Sequence, residues 1–331
     1  MGARQAFAAA TRRDGAGAPP ARLGPAANLC AAAALVERRG TRAWISGDDD
    51  YPIHDEVPLR PPVLLGEGDV PGVLDAPRVA IVGTRAATPH GLADARDLGS
   101  ALTDAGVTVV SGLAIGIDAA AHEGALDSLT ESDDAEAGPV GVVATGLDVV
   151  YPRRHRALFD RVRRRGLIVG EVGYGAGPIA WRFPVRNRII AALADVVVVV
   201  EATASGGARI TAEYAAQYGR PVLAVPGSRR NPAAAGCNAL LADGAHPLLE
   251  PSDVLLALGL AAGGRPGWIG PPGAALSADA RAVRHAFGGE PATADQLAGR
   301  SGLPPERVSG ALRELERAGR AERSRGLLWP R

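Results

Sequence analysis

With 331 residues, 47% of them hydrophobic, the chain is long enough for about two domains of roughly 100–200 residues each and for a sizeable buried core. Its 36 basic and 36 acidic residues cancel, so overall charge names no partner; every basic residue is Arg, so an anion site here must be built from guanidinium forks, which suit phosphate. Cys30 and Cys237 are the only cysteines, which excludes a disulfide framework or a cysteine metal site, and with no apolar leader and no stretch of membrane-spanning length a cytoplasmic protein without membrane association is expected.

In chain order, residues 1–45 are rich in Ala and Arg, with the composition of disorder over 1–25 and a short helix over 28–37. Residues 46–75 carry eight acidic residues against Arg60, with several prolines, and read as a loop or extended lead-in. Residues 1–75 therefore form a poorly defined N-terminal region. From residue 79 the pattern becomes regular. Short β-branched runs at 79–82, 107–110, 140–143, 167–169, 196–200 and 222–225 alternate with helix-length segments at 92–105, 117–126, 186–193 and 210–218. The five valines at 196–200 are apolar on both faces, as a central parallel strand requires. Strands alternating with helices predict an α/β domain with a parallel sheet, placed at 76–260. An acidic surface loop is expected at 131–138. Residues 261–276, with a Gly/Pro stretch at 263–273, read as a linker. Helices at 278–286, 294–300 and 305–318 and a β-wing at 321–329 predict a second, smaller domain at 277–331.

Several segments carry residues suited to ligand contact. The first strand ends in VAIVGTR, where Gly83 allows a tight turn, Thr84 follows, and Arg85 lies at the carboxyl edge of the sheet, where α/β folds bind ligands. Backbone N–H groups at the next helix start would help hold an anion; an ordinary turn with a surface Arg is the alternative. The second strand runs into SGLAIGIDAAAHEGA. Ser111, Gly112 and Gly116 belong to a small-residue loop open to phosphate approach, while Asp118 and His122 share a helix face. An Asp near a helix start beside a hydrogen-bonded His is the preferred reading of that pair over an acid–base couple.

Residues 151–190 hold ten Arg against Asp160 and Glu171, and five of the thirteen aromatic residues. Guanidiniums hold phosphates and aromatic faces stack on unpaired bases, a combination that suits single strands. The cationic stretch 153–165 reads as a solvated helix. The WRFPVRNRII block reads as functional: Trp181, Phe183, Arg186, Asn187 and Arg188 crowd a turn before a helix. After the valine strand comes EATASGGARITAEYA, a Gly-rich turn and helix in which Ser205, Gly206, Gly207, Arg209 and Thr211 either meet a ligand or cap the helix. Asn238 reads as a helix cap or a ligand contact. No metal, P-loop or nucleophile-elbow motif is present, so neither catalysis nor a cofactor is expected.

The ordered series VAIVGTR, SGLAIGIDAAAHEGAL, ATGLDVVYPRRHRAL, FPVRNRIIAALADVVVVVEA, SGGARITAEYA, GRPVLAVPG and GCNALLADGA, with a YP pair at Tyr51, resembles the DNA-processing protein A (DprA/Smf) family over residues 51–258. The resemblance implies an extended Rossmann-like domain that binds single-stranded DNA, a homodimer, and the loading of RecA recombinase on single strands that it protects during natural transformation or recombination. It places Arg85 on a DNA phosphate, lines the same groove with Phe183, Arg186, Asn187 and Arg188, and sets Gly207 and Thr211 in the Ser-Gly-x-x-Ile-Thr-Ala turn. In that alignment Gly206 and Arg209 stand where the family usually has Ser and Leu, and Ser205 falls one residue early. The C-terminal block resembles a winged helix, with Leu297, Val308, Leu312 and Leu315 as core. Its ten Arg against seven acidic residues leave duplex contact and protein contact both open.

Two rival functions remain. A nucleotide phosphoribohydrolase of the cytokinin-activating type carries P-G-G-x-G-T-x-x-E; here Gly206, Gly207 and Glu213 fit SGGARITAE, but Arg209 and Ile210 replace the Gly-Thr pair. A transcription regulator would use only the winged helix.

Overall fold

The β-branched runs fold as the strands of one sheet. The structure is a computed structural model, and it describes residues 38–54, 56–129, 137–261, 278–287, 291–317, 321–324 and 327–330. The expected helix over 28–37, most of the acidic loop at 131–138 and the Gly/Pro stretch at 263–273 lie outside them. Nine strands are ordered β1-β2-β6-β5-β4-β3-β7-β8-β9: β1 (Arg42–Ile45), β2 (Val63–Glu67), β3 (Arg78–Val82), β4 (Thr108–Ser111), β5 (Pro139–Val142), β6 (Leu167–Gly170), β7 (Val196–Val199), β8 (Val222–Ala224) and β9 (His246–Pro247). From β6 to β9 every pairing is parallel, whereas β1 and β2 extend the sheet antiparallel beyond β6.

The loop reading of residues 46–75 is corrected by β2, which pairs with β6, and by β1 just before that stretch. Trp44 and Leu64 are 3% and 0% exposed, and they anchor the hairpin in the core. Strands of four and five residues among acidic residues and prolines are too short for an alternating pattern to stand out. Leu113, Phe159, Val162 and Ile168 form the core on one side of the sheet. Val82, Val110, Ile190 and Val199 belong to the other cluster, together with Trp44 and Leu64.

The helices between strands are α1 (Pro89–Asp104), α2 (Ile117–Ser128), α3 (Arg156–Arg165), α4 (Arg182–Leu193), α5 (Gly207–Gln217), α6 (Ala235–Ala242) and α7 (Pro251–Ala261). In α3 the apolar stripe Leu158, Phe159, Val162 is buried and the arginines lie outside it, as expected of a solvated cationic helix. The chain runs from β3 through β4 and β5 to β6 on one side, then returns to place β7 on the other side of β3. The carboxyl ends of β3 and β7 therefore flank the topological switch point, where open α/β sheets bind ligands.

The chain divides into two compact units at Val254 and Leu255, within α7. The second unit contains α8 (Ala278–Ala286), α9 (Ala294–Ser301), α10 (Pro305–Arg317) and the antiparallel pair β10 (Ala321–Ser324) and β11 (Leu327–Pro330). Phe287, Leu297, Val308, Leu312 and Leu315 are buried together in its core. Thr293 and Gln296 form a capping box at the start of α9, and Gly302, at φ 68°, ends it in the left-handed region. This is a winged-helix arrangement. Among the described residues no helix is long and apolar enough to cross a membrane.

Candidate nucleic-acid interface

Because β3 to β8 run parallel, the loops that follow them gather on one edge of the sheet. Arg85 follows β3, Gly112, Ala114 and Ile115 follow β4, Tyr151, Pro152 and Arg154 follow β5, and Phe183 and Arg186 belong to α4; together they line one cleft. Its volume of about 90 Å³ is well below the roughly 300–1,000 Å³ of small-molecule sites, so the cleft suits part of an extended chain. The Arg85 guanidinium is exposed and lies 5.5 Å from the centre of the Phe183 ring. Tyr151, 41% exposed, meets Phe183 at 5.2 Å with the planes tilted by 46°. Trp181 stands further out, 61% exposed, with the Arg182 guanidinium 5.6 Å from its ring centre. A cation and two aromatic faces thus converge on one cleft.

Beneath the cleft lies a buried polar floor. Arg186 is 5% exposed and donates from Nη1 to the carbonyls of Gly112, at 2.8 Å, and Val142. Asp118, equally hidden, accepts from the Gly112 N–H at 3.1 Å. The Gly112 peptide is therefore held from both sides by opposite charges, and a Cβ there would meet the Arg186 guanidinium at 2.2 Å. Burial lowers Arg186 to about 10 despite the pull of Asp118, and raises Asp118 above the usual carboxylate range. His122 is fully buried, and burial pulls it down to about 3. Leu113 is held at φ 54°, and its carbonyl is bonded to His155 Nδ1 at 3.0 Å. A strained non-glycine residue at a ligand-facing loop marks a position that the surrounding structure over-determines.

This arrangement gives several of the expected contact residues a structural role. Arg186 lines the cleft, and its guanidinium is engaged by the carbonyls of Gly112 and Val142. Ser111 is fully buried and donates to the Ile81 carbonyl at 2.6 Å. Gly83 and Gly116 serve close packing: a Cβ on Gly83 would meet the Ile117 side chain at 2.4 Å, and one on Gly116, at φ 86°, would meet the Thr84 carbonyl at 2.3 Å. Thr84 is half-buried and its N–H donates to the Glu201 carbonyl at 2.7 Å. Arg188 is ion-paired with Glu171, which removes its charge from the groove. Asn187 donates to the Gly207 carbonyl at 3.1 Å and ties α4 to the turn before α5. Thr211 is 1% exposed. In that turn Ser205 and Gly207 are exposed, Gly206 is half-buried, and Arg209 clasps the Ala204 carbonyl at 2.8 Å.

The start of α1 is also not open to an anion as expected. Thr88 caps it, accepting from Gly91 N at 3.1 Å, and both carboxylate oxygens of Glu201 are engaged there, with Thr88 N at 2.8 Å and Thr88 Oγ1 at 2.6 Å. The position that suits a nucleotide phosphate is filled by the chain's own carboxylate. Sequence reading missed Ala114, Ile115, Tyr151, Pro152 and Arg154 as groove residues and Glu201 as an internal plug. The aromatic and cationic bias of residues 151–190 pointed to Tyr151 and Arg154. Nothing in the local pattern marks Glu201.

Comparison with known proteins places the whole chain. Residues 42–259 match the family model described as DNA recombination-mediator protein A. The chain belongs to the DprA/Smf family. Residues 270–326 match the DprA winged helix domain. The DprA of Mycobacterium tuberculosis is 41% identical over 310 residues, covering 87% of this chain and 76% of that protein. The X-ray structure of DprA from Streptococcus pneumoniae superposes with a TM-score of 0.59 and 32% identity over 71% of this chain and 83% of its own. DprA from Helicobacter pylori, whose structure was described for its single-stranded DNA binding mode, superposes with a TM-score of 0.57 and 27% identity, over 66% of this chain and 95% of its own. This chain is a DNA-processing protein by family.

Proposed function

We propose that this protein binds single-stranded DNA across the carboxyl edge of its parallel sheet, with a phosphate on Arg85 and unpaired bases on Tyr151, Phe183 and Trp181. The observation that carries the reading is the exposed Arg85 guanidinium beside paired aromatic rings in one cleft. Stacking and phosphate contacts tolerate any base, so sequence preference is small. As a DprA/Smf member it protects single strands and loads RecA recombinase during transformation or recombination, and it acts as a binding protein in the cytoplasm, as a homodimer, without catalysing a reaction.

The winged helix supports this choice over a duplex reader. The first turn of α10 carries Pro305 and Glu306, and Arg307 is clasped by both carboxylate oxygens of Asp279. An acid and an occupied guanidinium at the start of the candidate recognition helix disfavour contact with the major groove. The phosphoribohydrolase reading is disfavoured by Arg209, which closes onto its own turn.

Fluorescence anisotropy with single- and double-stranded oligonucleotides over a salt series tests the proposal. Tight single-strand binding that weakens steeply with salt is expected; tight duplex binding with weak single-strand binding overturns it. Light scattering at tens of micromolar, where modest affinities populate a dimer, tests the homodimer.

A further inference from the structure

The loop after β8 reads PGSRRNP, and its two arginines are placed differently from most others on this sheet edge. Arg229 and Arg230 are both exposed, and among the described residues neither side chain makes an ion pair or a hydrogen bond. Arg186, Arg188 and Arg209, by contrast, are all held by protein groups. The loop beneath the pair is pinned. Asn238 Oδ1 accepts from Gly227 N at 3.2 Å and Asn238 Nδ2 donates to Gly227 O at 3.0 Å, while Asn231 N donates to Ser228 O at 2.9 Å. Asn231 also caps the next turn, accepting from Ala233 N at 3.0 Å.

The loop is joined to the turn after β7 as well. Gly236 N donates to the Ala202 carbonyl at 2.7 Å, and a Cβ on Gly236 would meet the Thr203 carbonyl at 2.5 Å. That turn is itself tied to the groove by Asn187 on Gly207. Thr203, Ala204 and Ser205 are exposed, small and uncharged, so a polyanion crosses them without meeting a carboxylate. Because β3, β7 and β8 are neighbours at about 4.8 Å per strand, the strands that lead to Arg85 and to the Arg229–Arg230 loop lie roughly 10 Å apart.

We propose that Arg229 and Arg230 form a second phosphate-binding station for the same single strand, which leaves the aromatic cleft, crosses the turn at 203–207 and ends on this pair. The inference rests on the proposed single-strand reading. It gives the small residues of that turn a role as a smooth passage and Asn238 a role as the bracket that aims the arginines.

The test is anisotropy with a thymidine 20-mer over a salt series, using the full chain, Arg229→Ala/Arg230→Ala, and Arg164→Ala as a control for net charge. Arg164 is exposed and precedes β6, at the opposite edge of the sheet. The double variant is expected to keep its circular dichroism and bind roughly tenfold more weakly, with a log–log salt slope shallower by about 1.4 for two lost phosphates at about 0.7 each. Arg164→Ala is expected to change neither. If the native chain binds and the double variant matches it in affinity and slope, or the control falls as far, the second station is wrong and the cleft reading stands. If the native chain does not bind the 20-mer, both fall.

Discussion

Removing the guanidinium of Arg85 is expected to weaken single-strand binding by about 1.5–3 kcal/mol, the range of a lost charge-assisted phosphate contact, while leaving the thermal melt unchanged. Anisotropy and circular dichroism on Arg85→Ala check both halves, and unchanged affinity in a folded variant would take Arg85 out of the site. Arg186→Ala should behave in the opposite way. It strands Asp118 as a buried charge without its counter-ion and frees two carbonyls, a type of change that costs about 3–5 kcal/mol of stability, read as a lowered melting temperature. Both residues come from motifs legible in the sequence. Their division of labour was not, because burial of Arg186 depends on how α4 lies over the ends of β4 and β5.

His122 supplies a pH signature. Its ordinary value of 6.5 is pulled to about 3 by burial, so in that window the unfolded chain binds the proton and the folded chain does not. Stability therefore rises with pH between these values: the contribution is complete above about 6.5 and is lost as pH falls toward 3. Asp118, raised by burial, works in the opposite direction, so the comparison must remove the histidine alone. Urea melts at about pH 7 and about pH 5 should show a larger drop for the native chain than for His122→Leu. Equal drops would mean that the ring is not held neutral.

At the scale of elements, β3 to β8 were legible because their runs are β-branched and bounded by turn residues. The two-residue β9 and the short β1 and β2 were not, since pairing with a neighbour rather than any local periodicity defines them. The close crossing of α1 and α2 was equally hidden. A Cβ on Gly124 would sit 1.9 Å from the Arg96 carbonyl oxygen, and one on Gly99 2.2 Å from that of Ala121. Gly124→Ala should therefore push the helices apart and cost at least about 1–3 kcal/mol, as overpacking does. Gly299, inside α9, has open space where a methyl group would stand, with nothing within 4 Å, so Gly299→Ala should stabilise its unit by up to about 1 kcal/mol through helix propensity. Calorimetry on the two variants checks the opposite signs.

At the scale of the whole molecule, the proposed site residues all lie in the first compact unit, which ends at Val254. A chain cut after Ala261, which keeps α7 whole, is expected to fold and retain most of its single-strand affinity. Loss of that affinity, with the isolated C-terminal unit binding instead, would move the site to the winged helix. The α/β domain and a second, smaller helical domain were readable from the order of periodic segments, while the winged-helix identity of the latter came from its resemblance. The hairpin that widens the sheet was not, because it is recognised only once its edge is paired to β6.

The carboxylate of Glu201 at the start of α1 has a consequence for how such a protein works among metabolites. An anion tethered by its own strand sits at an effective concentration that no freely diffusing phosphate matches. A free phosphate must displace that carboxylate to reach this corner of the fold. On the proposed single-strand reading, ATP or a dinucleotide is therefore expected to compete with a long strand in the neighbouring cleft no better than other salt of equal ionic strength, which anisotropy with added ATP checks.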